Sequence, residues 1–187
     1  MPDRLPPGLR RRFRTGRPSL DLAHTGGEGE AARWEIVHTP DDLARYLGVI
    51  LGLPPVPATA DDLTAMRALR ATIDRIARGL AAGAPPAEPD VTALNAVAAA
   101  PPLVRALRPG GTTIVVDPTA PAALATLARD AVDLFGGPLA GRIRVCAAED
   151  CGLLFVDASR PGRRRWCSME RCGNLAKVRK HRRGGRA

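Results

Sequence analysis

Aromatic side chains make up only 3% of this 187-residue sequence, so any core must be built mainly from Ala, Leu, Val and Ile. No run approaches the roughly 18 apolar residues of a membrane span, which leaves no expected membrane partner. Arg10-Arg11-Arg12-Phe13 has the outline of a twin-arginine export signal, yet the following RTGRPSLDLAHTGGEG carries no apolar segment, so the expected location is cytoplasmic. Gly-rich phosphate loops and G-x-S-x-G elbows are missing as well, and the expectation is a protein that is not an enzyme. His24 and His38 can be imagined with Asp21 and Glu35 in a pocket, but isolated histidines are more often surface or packing residues. Trp34 reads as a core anchor.

Apolar residues nevertheless reach 45%, enough for a buried core in one ordinary domain plus a small appendage. Charge divides the chain unevenly. From Arg142 to Ala187 there are 13 Lys and Arg against 4 acids, whereas residues 1–141 hold 15 of each sign. The whole +9 excess therefore sits in the last quarter, which points to a polyanionic partner docking there.

Residues 1–18 are rich in Pro, Gly and Arg and are expected to form a basic, disordered arm. Ser19–His24 alternates apolar and polar residues, predicting a short strand, with a second extended piece over Trp34–Val37. Thr39-Pro40-Asp41-Asp42 and Thr59-Ala60-Asp61-Asp62 share a helix-start grammar of capping threonine and early acids. They predict helices to about Leu51 and from Asp61 to Ala82, the second with Leu63, Met66, Leu69, Ile73 and Ile76 on one face. A third helix fits Pro89–Ala99, a strand Thr112–Val116, and a fourth helix Ala120–Phe135, stopped by Gly136-Gly137-Pro138. A boundary follows from the composition shift after Gly136. The fold class expected is α+β: a helix-rich domain with a small sheet over 19–137, then a small basic module over 138–187.

The four cysteines, Cys146, Cys151, Cys167 and Cys172, fall in a C-x4-C, fifteen-residue, C-x4-C pattern. Two close pairs joined by a hairpin-length spacer suit tetrahedral thiolate coordination, and a closed four-thiolate set takes a structural ion. One zinc is expected; iron and disulfides are the competing readings, the latter disfavoured in a reducing compartment. Within the spacer, Leu153–Val156 predicts a strand, Arg160–Arg163 a turn, and Arg163–Trp166 the returning strand. The sequence after Cys172 begins a helix, giving a treble-clef-like arrangement. Zinc binding is worth about 10–16 kcal/mol in small sites, and this module, with few large apolar residues, is expected to depend on it.

Zinc with four thiolates carries two net negative charges, far fewer than the cations around it. On the last helix, helical spacing places Leu175 and Val178 toward the hairpin and Lys177 and Lys180 opposite. Lys177, Arg179, Lys180, Arg182 and Arg183 are the candidate nucleic-acid contacts of this helix. Asn174 either reads a base edge or orders the Cys172 turn.

The stretch CAAEDCGLLFVDASRPGRRRWCSMERCGNLAKVRKHRR resembles the CGNR-type zinc finger of bacterial transcriptional regulators, and SLDLAHT, TPDDLARYL and LARDAVDLFGG resemble their N-terminal ABATE domain. The resemblance covers roughly residues 19–183. It implies zinc ligation by the same four cysteines, DNA as partner with a basic run at Arg163, Arg164, Arg165, Lys177, Arg179 and Lys180 as candidate contacts, and an N-terminal domain that senses a small stress-related effector. Two positions depart from the motifs: Leu175 stands where the finger has arginine, and His24 where the N-terminal motif has asparagine. The leading expectation is a DNA-binding regulator, with a homodimer as a candidate assembly. The alternatives are an RNA- or ribosome-associated zinc module and a protein-interaction module with a basic tail.

Overall fold

A computed structural model describes residues 15–27 and 29–184, with the backbone alone for 29, 30 and 180–184. Most of the arm expected over residues 1–18 lies outside the described residues.

The two capping threonines act as their sequence predicts. The Thr39 hydroxyl accepts from the Asp42 N–H while the Asp42 carboxylate accepts from the Thr39 N–H, a reciprocal box that opens α2 (Pro40–Leu51). Thr59 and Asp62 repeat it at the start of α3 (Ala60–Ala81). Each box satisfies amides that the first helical turn leaves without a partner. Gly52, at φ 74°, ends α2 in a left-handed conformation that a side chain would disfavour. Then come α4 (Glu88–Ala99), α5 (Ala120–Phe135) and, between them, the antiparallel hairpin of β1 (Val104–Leu107) and β2 (Thr113–Val116).

The predicted strand over Ser19–His24 is instead a short helix, α1 (Pro18–Ala23). Pro18 is set for the first helical turn, and Ser19 through Ala23 are all buried. Alternation cannot mark a strand in a segment enclosed on every side. Here α1 packs against α2, α3 and α5, and among the described residues no strand pairs with it. Of the extended piece expected over Trp34–Val37, Trp34 instead ends a 3-10 helix (Gly29–Trp34), and residues 35–37 run on without regular structure.

Helix α3 is the hub. It touches α1, α2, α4, α5 and strand β3, and Leu63, Met66, Leu69, Ile73 and Ile76 are all buried on it. Burying one such side chain contributes about 1.5–3 kcal/mol. Arg70 lies on the same buried side, paired with Glu35 through Nη1–Oε1 (2.9 Å) and Nη2–Oε2 (2.6 Å). Gly26 allows that approach, since a Cβ there would stand 2.6 Å from the Glu35 side chain.

The C-terminal region begins with a 3-10 turn (Ala140–Arg142) and a second hairpin, β3 (Ile143–Val145) and β4 (Leu154–Val156). Their antiparallel register is Ile143↔Val156 and Val145↔Leu154. The returning strand predicted over Arg163–Trp166 is therefore corrected: β4 pairs with the segment before it, and residues 163–165 run without regular structure. The Cys146–Cys151 turn is the loop of this hairpin. A turn closed by Gly162 N–H to Ser159 O (3.1 Å) follows, then a π-helical turn (Met169–Gly173) leading into α6 (Asn174–Gly184).

Hairpin β3–β4 is a two-faced plate. Ile143, Leu154 and Val156 belong to the same buried cluster as Leu20, Leu22 and the α3 face. Phe155, pointing the other way as alternate strand residues must, packs with Cys146 and Cys172. Val156 N–H donates to Thr15 O (3.0 Å), and a His24 ring nitrogen meets Leu154 O (2.8 Å), fastening the plate to the start of the helical part.

A candidate metal centre

Four elements deliver one sulfur each. Cys146 follows β3, Cys151 closes the hairpin loop through its N–H to Ala148 O (3.0 Å), and Cys167 ends the segment that returns past the loop. Cys172 lies in the π-helical turn that opens α6. There the Ser168 carbonyl accepts from both Cys172 and Gly173 N–H (3.1 Å each). Ala147 N–H to Arg165 O (2.8 Å) ties the two cysteine-bearing loops together.

The four Sγ atoms lie within 4.8 Å of one another. Cys151–Cys167 is 3.6 Å and Cys167–Cys172 is 3.7 Å. A tetrahedron with Zn–S bonds of about 2.3 Å has S···S edges of about 3.8 Å, whereas a disulfide needs about 2.05 Å. The donor set and its spacing fit zinc, and all four cysteines are free. Cys146 and Cys172 are buried; Cys151 and Cys167 are half-buried. The Cys146 thiol is driven strongly down by hydrogen bonds from Cys151 and Cys167, with the Cys167 N–H (3.4 Å) adding to them. Cys172 is pushed up to about 12 by burial and by its neighbours, and Cys167 is raised strongly by its contact with Cys146. Loading the site must therefore expel protons, and zinc affinity falls as pH falls.

Two residues that sequence reasoning passed over hold the frame. Asp157 is fully buried, and its carboxylate accepts from Ser159 N–H (3.0 Å), the Ser159 hydroxyl and Arg164 N–H (2.8 Å). The Ser159 bond, opposed by burial, leads the forces that hold it below the usual carboxylate range. It shapes the path from β4 to Cys167, and its D-x-S spacing was the available signal. Ser168 caps the π-helical turn by accepting from Arg171 N–H.

The eight basic candidates separate by their surroundings. The Arg164 guanidinium lies over the Phe155 ring at 5.0 Å and donates to Cys167 O (2.8 Å), so it braces the site. Arg179 is paired with Glu149 (3.3 Å) and Asp150 (2.6 Å) of the hairpin loop. Arg163, Arg165 and Lys177 are exposed, and among the described residues no acid pairs with them. Arg165 lies over Trp166 at 5.3 Å. The side chains of Lys180, Arg182 and Arg183 lie outside the described residues. Asn174 donates to Glu170 O (3.3 Å), ordering the turn. Leu175 and Val178, expected against the hairpin, are 50% and 47% exposed. The plate's finger-side face is already filled by Phe155, so α6 leans on the loop through Arg179.

A four-thiolate cluster on a hairpin, a turn and a terminal helix defines a structural zinc-finger protein, here joined to a helix-rich domain. The CGNR zinc finger family matches residues 142–184, and the four cysteines form one structural zinc site. The family described as "Putative stress-induced transcription regulator" (ABATE) matches residues 16–138. The chain belongs to the ABATE family. Comparison with curated proteins gave no match. Among the described residues, no helix is long and apolar enough to cross a membrane.

Proposed function

We propose that the chain is a non-enzymatic, cytoplasmic transcriptional regulator that grips double-stranded DNA with its zinc finger and senses a small effector through residues 19–137. The observation that carries this reading is charge without internal employment. Arg163, Arg165 and Lys177 stand exposed beside the zinc site with no acidic partner among the described residues, on a segment that holds the chain's entire +9 excess. Zinc fixes the loop and helix that present them, so little conformational freedom is lost on binding phosphates. Trp166 favours duplex over single strands: it is half-buried with the cysteine cluster and offers little stacking platform for bases.

Salt-dependent binding of a labelled duplex by the zinc-loaded protein tests this. Affinity should fall steeply with salt, and Arg165→Gln and Lys177→Gln should each lower the slope of log K against log salt by about 1. Arg179→Gln should lower it less, because its charge is already matched by Glu149 and Asp150. The reading fails if no duplex binds at low salt, or if single-stranded RNA outcompetes every duplex.

A further inference from the structure

A cavity of about 380 Å³ opens at the seam between the helical part and the finger. Its size lies at the lower end of the range that encloses small organic ligands. One wall comes from Ala31 and Trp34 of the 3-10 helix, another from Asp74 and Arg78 on α3, and the third from Cys151 and Arg171 of the finger.

The cations and acids of this lining do not cancel. Asp74 is taken by Arg78, whose Nε lies 2.8 Å and 3.0 Å from its two oxygens. Asp150, at the rim, is taken by Arg179 at 2.6 Å. Arg171 is half-buried, and its guanidinium makes no hydrogen bond or ion pair with any described residue. Arg33 adds a second guanidinium to the lining, 5.1 Å over the Trp34 ring. A guanidinium offers five donors suited to a carboxylate or phosphate, and Trp34 with Ala31 supplies an apolar, planar-tolerant wall beside it.

We propose that this cavity binds a small organic acid with a flat apolar body, its anionic group held by Arg171 and its body against Trp34. The occupant would touch both halves of the zinc site. Cys151 lines the cavity, Arg78 donates to the adjacent Gly152 O (3.3 Å), and Arg171 precedes Cys172. Binding is thereby coupled to the geometry of the loop that braces α6. The proposal rests on the effector reading for its regulatory meaning, but acid binding is measured without DNA, so failure of one leaves the other standing.

The test uses calorimetric titration of the full-length, zinc-loaded protein with indole-3-carboxylate and its neutral counterpart indole-3-carboxamide. The acid should saturate, with the amide at least about tenfold weaker, as loss of a charge-assisted contact implies. Arg171→Gln should cost the acid about tenfold while one zinc per chain is retained, and Arg105→Gln, on β1, should change nothing. Ala31→Phe, which fills the cavity away from the zinc ligands, should abolish binding of both compounds. Equal binding of acid and amide, no saturation up to about 10 mM, or unchanged binding by Arg171→Gln overturns the proposal. Competition by inorganic phosphate at the acid's own concentration also overturns it, because the body would then contribute nothing.

Discussion

Asp21 is the buried acid with the clearest thermodynamic signature. Its Oδ1 accepts from Thr15 N–H (3.2 Å) and the Thr15 hydroxyl (2.8 Å), pinning the chain before α1. Burial pushes its carboxyl up to about 6 against the Thr15 bonds, with nearby Asp130 adding to the rise. The folded state then binds more protons than the unfolded one between about pH 4 and 6, so stability falls as pH rises through that window. The shift corresponds to roughly 3 kcal/mol. Asp21→Asn keeps an oxygen acceptor for Thr15 and removes the titration. Its urea-unfolding free energy should be flat across that window relative to wild type, and higher at pH 7. Glu35 works in the opposite sense. Burial alone would raise it, but the Arg70 pair holds it below the usual range, so its contribution is present at neutral pH and lost only as acid protonates it.

Among the elements, the β3–β4 hairpin decides what zinc stabilises. One of its faces lies in the helical core and the other supports the cysteines. Chelation, or Cys172→Ser, should therefore release the Cys146–Cys151 loop and α6 while the strands themselves stay protected. Hydrogen exchange read by mass spectrometry should show fast exchange across 146–153 and 166–179, and slow exchange at Ile143–Val145 and Leu154–Val156. Uniform loss of protection across the hairpin would show that zinc holds the plate too. The sequence had pointed to a module wholly dependent on its ion, because the hairpin's second core is made by α1 and α3, both distant in the chain. The long helices were legible for a different reason: Thr39 and Thr59 cap locally, and their apolar faces repeat at helical period. Cys146, Cys151, Cys167 and Cys172 were legible because ligand spacing is also local. Short α1 and the path of residues 163–165 were not, since enclosure by α2, α3 and α5 decides the first, and Asp157 with the β3 pairing decides the second.

For the whole molecule, the decisive asymmetry is electrical: a neutral helical part carries a cationic finger. Leu175, at 50% exposure, occupies the motif's arginine position on that finger without being needed for its core. Leu175→Arg should change stability by less than about 0.5 kcal/mol, as surface substitutions do. The same variant should bind duplex DNA more tightly, with the gain shrinking at high salt. A marked loss of stability would mean that Leu175 packs more than its exposure indicates.

The bond from Val156 N–H to Thr15 O also has a consequence for synthesis. A nascent chain whose helices α1 to α5 have all left the ribosome still lacks Ile143, Leu154 and Val156, three members of its own central cluster. Thr15 and α1 thus wait on a hairpin translated long after them. Such long-range closure is slow, and until it occurs the apolar α1 and α3 surfaces remain open to chaperones. The finger is, in that sense, the step that completes the domain it follows.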